Sequence, residues 1–116
     1  MTANTPRSRK AKGAKYQTEI KEALMKKFEG ILEEGDIKTA VMGESGTDLI
    51  LSPAAQRVFP FAVEAKRTEK VSLRQWWKQA VANSTEKLRP LLFTKQNREE
   101  TLVVMNLETF LELLDK

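Results

Sequence analysis

The chain contains no cysteine and no histidine. Without cysteine there is no disulfide framework and no thiolate zinc site. Without histidine there is no imidazole base, no Ser-His-Asp triad and no zinc-hydrolase motif. A metal held by side chains must therefore sit among oxygen donors, which suits magnesium, manganese or calcium. No apolar run approaches the roughly 20 residues a membrane-spanning helix needs. The basic N-terminus also lacks the apolar region of a signal peptide. The expectation is a cytoplasmic protein with no membrane partner. With 116 residues and 41% hydrophobic side chains, the chain suits one domain with a modest core.

Acidic residues are missing from residues 1–18, which carry Arg7, Arg9, Lys10, Lys12 and Lys15. The formal net charge is +4, from 20 basic and 16 acidic side chains, so beyond this segment acids outnumber bases by one. The excess charge resides in an N-terminal stretch rich in Thr, Ser, Asn and Pro, which cannot bury a core. Residues 1–14 are therefore expected as a flexible basic arm suited to a nucleic-acid backbone, or else as a solubilising tail. Residues 15–116 are expected as a single domain.

Apolar spacing predicts a helix over residues 15–34, with Ile20, Ala23, Leu24, Phe28 and Ile31 on its inner stripe and Gly35-Asp36 ending it. Strands are expected at 38–42, 47–51 and about 58–66. Gly43-Glu44-Ser45-Gly46 and Ser52-Pro53-Ala54-Ala55-Gln56 read as turns or loops between them. Ser72-Leu73-Arg74-Gln75 matches a capping box opening a second helix, with Leu73, Trp76, Trp77, Ala80 and Val81 apolar. Strands at 90–94 and 101–105 and a terminal helix over 107–114, capped by Asn106, complete the chain. The order α-β-β-β-α-β-β-α implies an α/β fold with a mixed central sheet flanked by helices.

The third strand ends in Glu64-Ala65-Lys66, directly after the apolar run Phe59-Pro60-Phe61-Ala62-Val63. Strand residues alternate faces, so Glu64 and Lys66 share a side. Asp48, in Gly46-Thr47-Asp48-Leu49-Ile50-Leu51, joins them if the two strands pair. Two carboxylates and one ammonium would then meet on a small sheet, where charge without a partner is costly. A divalent metal with hard oxygen ligands would relieve the repulsion, and the lysine would orient or activate a water beside it. That combination suits phosphodiester hydrolysis. A cross-strand ion pair and a turn aspartate are the plainer alternatives.

This ordered set resembles the PD-(D/E)XK nuclease superfamily, and within it the small archaeal- and phage-type Holliday junction resolvases. In that family a first helix carries a glutamate, a hairpin carries an aspartate and a strand carries Glu-X-Lys. Those roles fall here on Glu19, Asp48, Glu64 and Lys66, and Lys15-Tyr16-Gln17-Thr18-Glu19 resembles the opening of the helix. The chain departs from the pattern in having Thr47 where proline is common, and in Ser52 to Arg57 between the hairpin and the Glu-X-Lys strand. The resemblance implies a restriction-endonuclease-like fold and a site in which Asp48, Glu64 and the Ala65 carbonyl bind one or two Mg2+ ions, with Mn2+ as a substitute. Glu19 would complete the shell directly or through water, and Lys66 would orient the attacking water.

The resemblance further implies a structure-selective endonuclease of DNA recombination and repair, from a phage or a bacterial or archaeal host, acting as a homodimer on branched or duplex DNA. Arg7, Arg9, Lys10, Lys12, Lys15, Arg67, Lys70, Arg74 and Lys78 are candidates for phosphate contacts. Ser45 and Gln79 stand where relatives place a serine and a glutamine near the substrate. Of the adjacent Trp76 and Trp77, which cannot share one helix face, one is expected in the core and the other first in the core as well, with a dimer contact or a stacking surface as the alternatives. The dimer surface would come from Leu107, Phe110, Leu111 and Leu114 or from the tryptophan helix. The other readings are a different nuclease of the same fold, such as a nicking or replication-repair enzyme, and a non-catalytic nucleic-acid-binding module.

Overall fold

The computed structural model describes residues 6–41 and 46–115. Among them the order is α1 (Pro6–Lys27), β1 (Ile37–Thr39), β2 (Leu49–Leu51), α2 (Pro53–Val58), β3 (Phe61–Arg67), α3 (Leu73–Ala82), β4 (Arg89–Lys95), β5 (Leu102–Val104) and α4 (Leu107–Leu113). The α/β class expected from the sequence holds. The order differs by one helix, α2, which occupies the segment expected as a loop. Ser52 supplies its N-cap, accepting from the Ala55 N–H at 3.1 Å, and Pro53 fits the first turn because its missing N–H would be unpaired there anyway. The Ser52 hydroxyl also donates to Asp36 Oδ1 at 2.7 Å, tying the short helix back to the chain before β1.

Helix α1 starts at Pro6, so residues 6–14 of the expected arm continue the helix. It stops at Lys27 rather than 34. Beyond it the Ile31 and Leu32 N–H groups both donate to the Phe28 carbonyl, and Gly30 has φ +85°, a left-handed conformation that closes the turn without a Cβ penalty. Ile31 therefore leaves the inner stripe and is exposed. The Ser72 side chain makes no capping bond, so the expected capping box does not form. At α4 the expected cap does form, with Asn106 Oδ1 accepting from the Thr109 N–H at 2.9 Å.

Instead of one continuous sheet, the described strands form two. β1 and β2 form an antiparallel hairpin, and β3, β4 and β5 form a mixed sheet in that order. β3 and β4 run parallel, with Glu64 opposite Leu92 and Lys66 opposite Thr94. Parallel pairing demands a long crossover, and α3 provides it. β4 and β5 are antiparallel. Helix α1 packs on one face of the sheet, where Tyr16 and Ile20 join Ile37, Leu49, Val63 and Leu91 in the main core. The alternate residues Ala62, Glu64 and Leu92 are also buried, on the face toward α3 with Trp76 and Ala80. Each fully buried aliphatic contributes about 1.5–3 kcal/mol. Helix α4 is held to β4 by Arg89, which pairs with Glu108 at 3.3 Å and with Glu112. No helix among the described residues is long and apolar enough to cross a membrane.

Candidate active site

β3 is an edge strand of its sheet, and Asp48 occupies its free edge. The Asp48 N–H donates to the Val63 carbonyl at 2.8 Å, and Asp48 Oδ2 accepts from the Ala65 N–H at 2.7 Å. One residue thus satisfies two backbone groups that no neighbouring strand reaches. The same bonds hold its carboxylate against the Glu64-Ala65-Lys66 run. Glu64 is 2% exposed, and its Oε2 lies 3.4 Å from Lys66 Nζ, as strand alternation requires. Its other oxygen, Oε1, is buried and makes no geometrically well-formed hydrogen bond among the described residues, with the Asn83 amide nearby. Lys66 remains part-exposed.

Burial pushes the Asp48 carboxyl above its ordinary range, against the Ala65 N–H, Lys66 and Gln17, which favour its ionised form. Burial likewise raises Glu64, the charge of Asp48 raises it further, and Lys66 and the nearby Asn83 amide act in the opposite sense. The pair is therefore an electrostatically unrelieved cluster, two acids with one ammonium. Ionised together they leave one uncompensated negative charge in a largely buried site.

Two residues that the sequence reading passed over complete the surroundings. Gln17 of α1 is 4% exposed, and its Nε2 donates to Asp48 Oδ1 at 3.1 Å. Asn83, which ends α3, donates from Nδ2 to the Gly46 carbonyl at 3.1 Å and stands beside Glu64, linking α3 to the segment before Asp48. A polar residue inside the apolar stripe Tyr16, Ile20, Leu24 was the available signal for Gln17.

Glu19 is not brought to this cluster. It lies two positions, about 200°, around the helix from Gln17. It lines a separate small cavity with Tyr16, Ile20, Ala23, Leu24, Phe93 and Thr101. Among the described residues no three acidic side chains gather. Ala65 lies between Glu64 and Lys66 with its N–H on Asp48.

Beside Lys66 opens a cleft of about 290 Å³ between α1 and the end of β3. Arg9, Lys12, Lys66 and Arg67 line it, together with Trp76 and Asn97. Arg67 is oriented by a 3.1 Å bond from its guanidinium to Asn97 Oδ1. Arg7, Lys10, Lys15, Lys70, Arg74, Lys78 and Gln79 are exposed and do not line this cleft. Arg74 instead borders a groove with Leu73, Trp77 and Leu107. Ser45 lies outside the described residues. Trp76 is buried and Trp77 half-buried, so the two are not both packed in the core.

The family described as phage putative PDDEXK endonuclease matches residues 8–116. The chain belongs to this family. That places it among the PD-(D/E)XK nucleases, as the Asp48, Glu64 and Lys66 pattern implied. No curated protein and no solved structure matches the chain. Nucleases of the PD-(D/E)XK class usually use divalent metals, and the donor set of this family member fits one. Glu64 Oε1 is a buried acceptor with no well-formed hydrogen bond among the described residues, each Asp48 oxygen retains a second lone pair, and the carboxylates repel one another. Two hard oxygen ligands match the donor preference of a small divalent cation.

Proposed function

We propose that the protein is an Mg2+-dependent endodeoxyribonuclease that cuts DNA at branched structures, as Holliday junction resolvases do, with Mn2+ able to replace Mg2+. The observation that supports the metal-dependent reading is Glu64, whose buried carboxylate combines one oxygen on Lys66 with one oxygen that has no well-formed hydrogen bond among the described residues, beside a second buried acid that repels it. Buried polar atoms in purely structural clusters are mostly paired.

Asp48 and Glu64 would hold the ion, with the Ala65 carbonyl as a further donor. When bound, the ion supplies Lewis-acid stabilisation of the charge that develops on the phosphate. Ala65 N–H and Gln17 keep the Asp48 carboxylate in place. Lys66, anchored on Glu64, orients the attacking water toward phosphorus. Inline attack leaves a 5′-phosphate and a 3′-hydroxyl. Arg9, Lys12 and Arg67 draw the flanking strand into the cleft through its phosphates.

Paired cuts across a four-way junction require two sites related by two-fold symmetry, hence a homodimer. Helix α4 offers a surface for it: Leu107 is 70% and Leu114 62% exposed, with Phe110 and Leu111 between them. Junction preference itself rests on the resemblance to resolvases.

The test is cleavage of a labelled four-way junction with Mg2+, beside linear duplex and single strand, with Glu64→Ala as control. Paired symmetric nicks confined to the junction and lost in the variant support the proposal. Equal cutting of all three substrates removes the junction claim and leaves a general nuclease. DNA binding without cutting, in either metal, favours the non-catalytic binding module.

A further inference from the structure

Gln17 is a primary amide inside the apolar stripe of α1, flanked by the buried Tyr16 and one turn from Ile20. Burying such a group is unfavourable unless it is hydrogen-bonded, and its bond runs to Asp48 Oδ1. The terminal torsion of an aspartate is broad and nearly two-fold, so one anchor leaves the carboxylate plane free to turn. Here two anchors from different elements act on its two oxygens: the Ala65 N–H of β3 on Oδ2, and Gln17 of α1 on Oδ1.

We propose that Gln17 is a positioning residue of the nuclease site: through Nε2 it fixes the plane of the Asp48 carboxylate, so that Asp48 and Glu64 present a preformed pair of oxygen donors to a divalent cation. This rests on the metal-dependent reading of the site. The chemistry of the residue suits the task. Its amide donates to the ionised carboxylate without adding charge. A glutamate at this position would place a third acid against a pair that already repels, and a lysine would compete with the cation. Groups that orient a metal ligand typically change metal affinity or activity by about 10- to 100-fold when removed.

The experiment measures Mn2+ binding by calorimetry, and Mn2+-dependent cleavage of labelled DNA, for wild type, Gln17→Met and Gln17→Glu. Methionine keeps the length and removes the donor. It should weaken Mn2+ binding by about 10-fold or more. Its turnover should recover toward wild type as Mn2+ is raised, and its KM for DNA should stay unchanged. Wild-type Mn2+ affinity in Gln17→Met, or a loss of turnover that excess Mn2+ does not restore, overturns the proposal. Should Gln17→Met fail to fold, Gln17→Glu decides. It should melt below wild type in EDTA and gain more from Mn2+ than wild type does, and equal gains overturn the proposal. A wild type that neither binds Mn2+ nor cuts DNA removes the metal-dependent nuclease reading itself. A working wild type matched by its variants removes only the role of Gln17.

Discussion

Replacing Glu64 by glutamine should raise the stability of the metal-free protein and lower that of the metal-loaded protein, relative to wild type. The first sign comes from what Glu64 experiences without a cation. It is 2% exposed, one oxygen has no well-formed hydrogen bond among the described residues, and Asp48 adds like-charge repulsion. A buried unsatisfied acceptor costs about 1–3 kcal/mol. The pair with Lys66 that the substitution weakens is buried on the carboxylate side but open on the ammonium side, so the lysine is left with water in reach and not as a stranded charge. The amide nitrogen can also donate toward Asp48, turning repulsion into a hydrogen bond. The net gain is on the order of 1 kcal/mol, or roughly 4 °C in Tm for a domain near this size. The second sign comes from linkage. A cation at 100 times its Kd stabilises the wild type by about 2.7 kcal/mol, most of which the variant forfeits with its ligand. The two melting curves should therefore exchange order between EDTA and Mn2+. Scanning calorimetry of both proteins under both conditions reads this directly. A variant less stable than wild type in EDTA would refute the electrostatic account of Glu64, and a wild-type Tm unmoved by Mn2+ would refute the metal site.

Four further outcomes are expected. Both site acids have folded-state pKa values above their ordinary 3.8 and 4.5, so their contribution to stability is complete when they are protonated and is lost as pH rises from those values through the folded ones. Denaturant melts in EDTA should therefore show wild type losing stability relative to the Asp48→Asn/Glu64→Gln double variant over that rise, and parallel curves would contradict the shifts. Lys12→Ala, in the cleft beside Lys66, should weaken DNA binding and lower the salt slope of log Kd by about 1, as a titration at several salt concentrations would show. Ser52→Ala removes both the α2 cap and the bond to Asp36 and should cost about 1–2 kcal/mol by chemical denaturation. If the proposed α4 dimer forms, Leu111→Glu on the exposed face of α4 should yield monomer in sedimentation velocity, and a wild type already monomeric at working concentration would remove the α4 interface.

The chemistry-bearing strand was legible because its signal is local. Period-two alternation alone puts Glu64 and Lys66 on one side, and the apolar run before them marks the strand as buried. Asp48 was legible as a partner but not as the cap of an open edge, because that role depends on which side of β3 the sheet leaves free. At about 100° per residue Ile20, Leu24 and Ile31 centre a stripe from which Gln17 lies about 40° and Glu19 about 120°. The same spacing that predicts the helix therefore turns Gln17 inward and Glu19 aside, and the loss of Ile31 from a helix that ends at Lys27 leaves that phase unchanged. The extension of α1 to Pro6 escaped because a run of Lys and Arg with little apolar content carries no amphipathic signal. Helix α2 escaped because six residues are too few for periodicity, although Ser52-Pro53 was a usable start signal. Asn83 could not be seen at all, since its partners Gly46 and Glu64 are distant in sequence.

The most direct measurement of the central claim is single-turnover cleavage of end-labelled DNA by wild type, Glu64→Ala and Lys66→Ala, in Mg2+ and in EDTA, with the product termini determined. The account predicts cutting by wild type in Mg2+ alone, 5′-phosphate and 3′-hydroxyl ends, and loss of cutting in both variants while DNA is still bound. Cutting that persists in EDTA, or that survives Glu64→Ala, would contradict it.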